Sequence, residues 1–177
     1  MSPLPATLQQ LDLFSHRQSR SCKMRRKNAV PCEWKIVAVR ECASPAVTTS
    51  LDHPLPAVHY WQSHVVSAPH FNPDVECFVV ILLTTKFHVR GHHLVSIGSL
   101  NETMAHPREV FRAAVIGAAY SVVLMHNHPS GDPSPSEADR RITRKHVESG
   151  NILQIGVTDH IIIGKDRHFS FREAGLI

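Results

Sequence analysis

Two apolar runs set the strongest limit on what this chain can fold into. "ECFVVILLTTKFHV" (76–89) and "YSVVLMHNH" (120–128) are each apolar through their centres, with no polar residue at alternate positions. Runs of this length read as strands, and unbroken apolarity means a strand covered on both faces. A sheet so buried needs helices packed against it. The intervening text supplies them. "LPAVHYWQSHVVSAP" has Val58, Trp61 and Val65 at helical spacing and is bounded by Pro69 and Pro73. "PREVFRAAVIGAA" opens with Pro107, suited to a first helical turn, and carries Val110, Phe111, Ala114 and Val115 on one side. "SPSEADRRITRKHVESG" begins with a capping-box pattern, Ser134 with Glu137 and Pro135 between them. Gly150 is expected to close that helix. "EWKIVAVREC" reads as a first strand, "HHLVSIGS" as the neighbour of the first apolar run, and "DHIIIGKDRHFSF" as two short strands and a turn. The expected fold class is α/β, a mixed sheet with flanking helices.

Composition narrows the function classes. No apolar run approaches the roughly 20 residues of a membrane span, and residues 1–30 lack a secretory apolar stretch. Cys22, Cys32, Cys42 and Cys77 are scattered without a CxxC pair, which argues against a zinc ribbon or a disulfide framework. Reduced thiols and a cytoplasmic location are the expectation. The net charge of +4 is concentrated in residues 1–30, where Arg17, Arg20, Lys23, Arg25, Arg26 and Lys27 face Asp12 alone. Such a run could contact DNA or another polyanion. The plainer reading, a solvated and disordered start to the chain, is preferred, since no aromatic residues interleave with the charges. The expected organisation is a basic tail over 1–30, a strand and linker over 31–53, and one folded domain over 54–177.

The chemistry concentrates in "LMHNHPSGDPSPSEAD" (124–139). His126 and His128 lie two apart at the end of a strand and so project from one face. Their imidazoles can converge on one ion. Asp139 falls in the first turn of the next helix, and Pro129, Pro133 and Pro135 stiffen the loop between. Two imidazoles and a carboxylate leave a fourth tetrahedral position open, as in catalytic rather than structural zinc. The same donors also suit iron or manganese. Against this, the chain has 14 histidines, so one HxH pair can arise by chance, and "GHH" at 91–93 is not read as a ligand set. The zinc deaminase pattern, H-x-E with P-C-x-x-C, is absent. Asn127, Ser130 and Asp132 could shape a groove or simply make the turn. Cys77, Tyr60 and Trp61 read as packing residues.

The segment His126-x-His128-x7-Ser136-x2-Asp139 resembles the JAMM (MPN+, JAB) metalloprotease motif. "SIGSLNETMAHPREVFRAAVIGAAYSVVLMHNHPSGDPSPSEAD" followed by "DHIIIG" is similar to the RadC family specifically, over roughly residues 54–177. The resemblance implies a cytidine-deaminase-like JAB/MPN fold and zinc (Zn2+) held by His126, His128, Asp139 and a water. It implies that Ser136 stabilises an oxyanion and that Glu76 is the remaining acidic member. The substrate would be a peptide or isopeptide. From the residues alone, Asp74, Glu102, Glu109 and Glu137 compete with Glu76, which is distinguished by standing at the edge of an apolar strand. Plainer roles exist for each residue: a strand-end charge for Glu76, a capping hydroxyl for Ser136, a helix-dipole acid for Asp139. Asp159 and His160 match the family's "DH"; a buried structural pair is preferred to a supporting role at the site. A helix-hairpin-helix segment, which many members carry before this domain, has no counterpart in residues 1–53. A DNA-repair or mobile-element factor that binds without cleaving is the alternative function.

Overall fold

A five-stranded sheet in the order β2-β1-β3-β4-β5 forms the centre of the protein. The computed structural model describes residues 50–98 and 105–177. The strands are β1 (Cys77–Leu83), β2 (Val89–Ile97), β3 (Ser121–Asn127), β4 (Gly156–Ile163) and β5 (His168–Ser170). The helices are α1 (Pro54–Tyr60), continued by a π-helical turn over Trp61–Val65, α2 (Pro107–Ile116) and α3 (Glu137–Leu153). Among the described residues only β3 and β4 pair in parallel, and α3 makes the crossover such a pair requires. The proposed strand at 33–42, the basic run and Glu102 lie outside the described residues. Among the described residues no helix is long and apolar enough to cross a membrane.

The unbroken apolar runs are explained by a core on each face of the sheet. Cys77, Val79, Ile81 and Leu83 point towards Ala57, Tyr60, Trp61 and Val65 of the first helical segment. Their alternates Phe78, Val80 and Leu82 point towards Val110, Phe111 and Ala114 of α2 and Ile142 of α3. Every residue of β1 and β3 is buried. Each aliphatic side chain so buried contributes about 1.5–3 kcal/mol of transfer free energy. In β3, Val122 and Leu124 face α2 and α3, so His126, next in the alternation, is delivered to the same side.

Four local expectations need correction. The first apolar run is not one strand to Val89. It breaks after Leu83 at a turn in which Phe87 adopts φ 58° and donates its N–H to the Thr84 carbonyl at 2.9 Å. The Thr84 hydroxyl oxygen accepts from Lys86 and His88, holding the turn with bonds that an apolar count does not register. Val115 is 59% exposed, because the buried stripe of α2 is confined to Val110, Phe111 and Ala114. The capping box is Ser136 with Asp139, two residues later than expected. Ser134 is diverted by Asp132, whose carboxylate accepts from both its N–H (3.1 Å) and its hydroxyl (2.8 Å). Finally, Gly150 lies inside α3, and Gln154 at φ 56° terminates it. A Cβ on Gly150 would stand 2.5 Å from the Ile155 carbonyl oxygen and 3.2 Å from the Phe111 ring. The glycine therefore serves close packing rather than capping.

Candidate metal centre

His126 is the last but one residue of β3 and is wholly inaccessible; His128 follows the strand and is partly exposed. The two Nε2 atoms lie 3.1 Å apart. The Asp139 carboxylate comes down from the first turn of α3, with Oδ1 3.4 Å from His126 Nε2 and Oδ2 3.7 Å from His128 Nε2. These are the three separations that matter for a shared ion. Tetrahedral zinc with spokes of 2.0–2.1 Å has ligand-to-ligand edges of about 3.3–3.4 Å. The imidazole pair and each imidazole's nearer carboxylate oxygen lie close to that value, the two carboxylate distances being to different oxygens, and one ligand atom from each residue lies within 4.8 Å of the others. Among the described residues, these three form the one His/Cys/Asp/Glu group able to hold a metal ion. "GHH" takes no part in it: His92 Nδ1 is hydrogen-bonded to the Tyr60 hydroxyl at 2.8 Å.

Each of the three side chains is held from behind. His128 Nδ1 donates to the Asp132 carbonyl at 2.7 Å, which leaves its Nε2 facing the cluster. Asp139 Oδ2 accepts from the Ser136 N–H at 2.7 Å and the Ser136 hydroxyl at 2.6 Å. The capping box thus does two things: it begins α3, and it aims the carboxylate. His126 Nδ1 meets His160 Nε2 at 2.9 Å, and His160 Nδ1 meets the Thr143 hydroxyl at 2.7 Å.

The electrostatics fit a cation site. Burial works against the charge on Asp139, but the neighbouring His126 and His128 imidazoles and the hydrogen bonds from Ser136 outweigh it and hold the carboxyl well below the usual carboxylate range. Burial lowers the pKa of His126, and Asp139 only partly offsets it. The neighbouring Asp139 carboxylate raises that of His128. Two facing imidazole nitrogens and a carboxylate are donors that one divalent ion would satisfy together.

Glu76 immediately precedes β1 and is half-buried; its negative charge acts on both imidazoles, raising the pKa of each. Its backbone is fixed by a residue lying between the two histidines. Asn127 Oδ1 accepts from the Cys77 N–H at 2.9 Å, and Asn127 Nδ2 donates to the Val75 carbonyl at 3.0 Å. The peptide groups on either side of Glu76 are thereby clamped to β3. Glu109 is engaged with Arg108 and Arg112, and Glu137 with Arg140. Asp74 is exposed in the loop before β1.

Sequence reasoning left Asn127 unassigned and overlooked Thr143. Thr143 stands four residues after Asp139, one helical turn along the same face, a spacing that could have been noticed. The preferred reading of Asp159–His160 as a structural pair holds for Asp159, whose carboxylate accepts from His160 N–H, the Ser170 hydroxyl and Arg172 N–H. His160 instead touches the candidate ligand His126. Ser130 and Asp132 make the turn, Ser130 through its hydroxyl and Asp132 through its carbonyl and carboxylate.

Comparison with known proteins identifies relatives of the described domain. A UPF0758 protein of Methanosarcina barkeri is 49% identical over 102 residues, 58% of this chain and 44% of its own length. One of Caldanaerobacter subterraneus subsp. tengcongensis is 51% identical over 100 residues, 56% of this chain and 43% of its own. One of Desulfitobacterium hafniense is 44% identical over 115 residues, 65% of this chain and 51% of its own. The chain thus spans about half the length of the curated relatives it matches. The model of the RadC-like JAB domain matches residues 51–176, all but one residue of the stretch from Leu51 to the end, and the chain belongs to that family.

Proposed function

We propose that this domain is a zinc-dependent hydrolase of amide bonds in peptides or isopeptides. The observation that carries the reading is the convergence of two imidazole nitrogens and a carboxylate at separations of 3.1, 3.4 and 3.7 Å. His126, His128 and Asp139 would hold the metal, which when bound supplies Lewis-acid activation of a carbonyl and of water. Three protein donors suit a catalytic site better than a structural one. The Glu76 carboxylate takes the proton that water releases on attack and passes it to the leaving nitrogen. Hydrogen bonds from Asn127 to the flanking peptide groups hold its backbone beside β3. The Ser136 hydroxyl is on Asp139 at 2.6 Å; to stabilise an oxyanion it must turn its hydrogen from that carboxylate to the developing charge.

The test separates binding from turnover. Glu76→Gln should keep zinc at one equivalent per chain and abolish cleavage of a peptide library, by a factor of about 100 or more. Unchanged turnover would remove Glu76 from the chemistry. A wild-type protein that retains no zinc after dialysis would remove the metal reading altogether.

A further inference from the structure

Behind His126 the structure holds a chain of three buried polar groups whose hydrogen positions can be worked out one by one. Thr143 Oγ1 is 2.6 Å from the Asp139 carbonyl oxygen and 2.7 Å from His160 Nδ1. His160 Nε2 is 2.9 Å from His126 Nδ1. Thr143 is 1% exposed, and His160 and His126 are fully buried. A carbonyl oxygen can only accept, and a hydroxyl has one hydrogen to give. The Thr143 hydrogen therefore goes to the Asp139 carbonyl, and its oxygen must accept from His160. That puts the His160 proton on Nδ1. Burial without a carboxylate partner keeps the ring neutral, so its Nε2 is bare. A bare Nε2 must accept, and the proton it accepts is on His126 Nδ1. By the same count His126 Nε2 is left with its lone pair, facing His128 and Asp139.

We propose that Thr143 and His160 are positioning residues that fix the tautomer of His126, keeping its Nε2 free to bind the metal. The inference rests on the metal reading of the cluster given above. The direction of the whole chain is set at its far end, by the helix backbone at Asp139, so the residue that supplies a ligand carboxylate also anchors the proton order of a ligand imidazole. Thr143→Val removes the acceptor while nearly conserving shape. His160 would then leave Nδ1 bare against a methyl group and donate from Nε2 to His126 Nδ1. The His126 proton would move to Nε2, where it blocks the site.

The test uses the full chain, freed of metal by chelator, and needs no activity assay. Imidazole nitrogen NMR reports which nitrogen bears the proton, and competition with a chromophoric chelator gives zinc affinity. The wild type should show His126 and His160 both protonated at Nδ1. Thr143→Val should move both protons to Nε2 and weaken zinc binding by about 10–100-fold. Thr143→Ser, which keeps the hydroxyl, should restore both readouts. A wild-type His126 protonated at Nε2 would overturn the proposal without recourse to any variant. So would a Val variant with wild-type tautomers and affinity. A wild type with the expected tautomers that binds no zinc would refute the metal reading while upholding the hydrogen order.

Discussion

His146 offers a stability prediction that can be worked through from the structure. It is fully buried on α3, its ring 5.9 Å from that of Phe78 and 6.3 Å from that of Phe111. Nδ1 donates to the Ile142 carbonyl at 2.7 Å, while Nε2 has no hydrogen-bond partner among the described residues. Burial, against the help of the Ile142 carbonyl and with the nearby charges of His106 and Lys145, lowers its pKa from 6.5 to about 4. The folded state thus takes up the proton less readily than the unfolded chain. Its contribution is intact above about pH 6.5 and is lost progressively as pH falls towards about 4. Each unit in that window is worth 1.36 kcal/mol, so the loss between about pH 7.5 and about pH 5 comes to about 2 kcal/mol. His126 and His160 shift in the same direction, and the wild-type slope contains them too. The comparison with His146→Leu isolates the one residue. Urea unfolding followed by circular dichroism, with chelator present throughout, should show the variant losing about 2 kcal/mol less than the wild type over that range. At neutral pH the variant should be at least as stable, since an unsatisfied buried acceptor is removed. Parallel pH profiles for the two proteins would refute the assignment of a neutral, dry imidazole.

Zinc at a hundredfold excess over its dissociation constant should stabilise the protein by about 2.7 kcal/mol and raise the melting temperature by roughly 8 °C. Asp139→Asn should abolish that rise, and chelator should reverse it in the wild type; scanning calorimetry checks both. Asn127→Leu should unclamp Glu76 by stranding the Cys77 N–H and the Val75 carbonyl, at a cost of about 1–3 kcal/mol for each buried group. Its turnover should fall while bound zinc, measured by elemental analysis, remains. Gly150→Ala should destabilise by about 2 kcal/mol despite alanine's better helix propensity, because the new methyl meets the Ile155 backbone oxygen at 2.5 Å. Equal or greater stability in denaturant titration would show that α3 can shift away.

The legible parts of this molecule were those written in local periodicity. The apolar alternates of β1 and β3, the stripe Val110, Phe111 and Ala114, and the pair His126 and His128 are each readable from spacing of two or of three and four. The errors fell where a side chain competes with a pattern. Asp132 captures Ser134 and displaces the cap, and Thr84 bends a run that apolarity alone would continue. Gly150 was misread because its reason is a neighbour's carbonyl, not its own dihedral angles. Glu76 was preferred over other acids by its place at the edge of an apolar strand and by a resemblance; what ties it to the site was not legible, because the hydrogen bonds that relate residue 76 to residue 127 join segments fifty residues apart.

By itself the order of amino acids determined that a doubly covered sheet would form and that a strand would deliver two imidazoles to one end of it. Side-chain period and solvent exclusion are short-range properties, and they suffice for that much. Only the tertiary structure decided how the third donor is aimed, which way each ring is turned, and which amide pins the acid before β1. Those choices depend on hydrogen-bond partners brought together by the crossover of α3 and the pairing of β1 and β4 with β3, contacts that exist only once the chain has closed on itself.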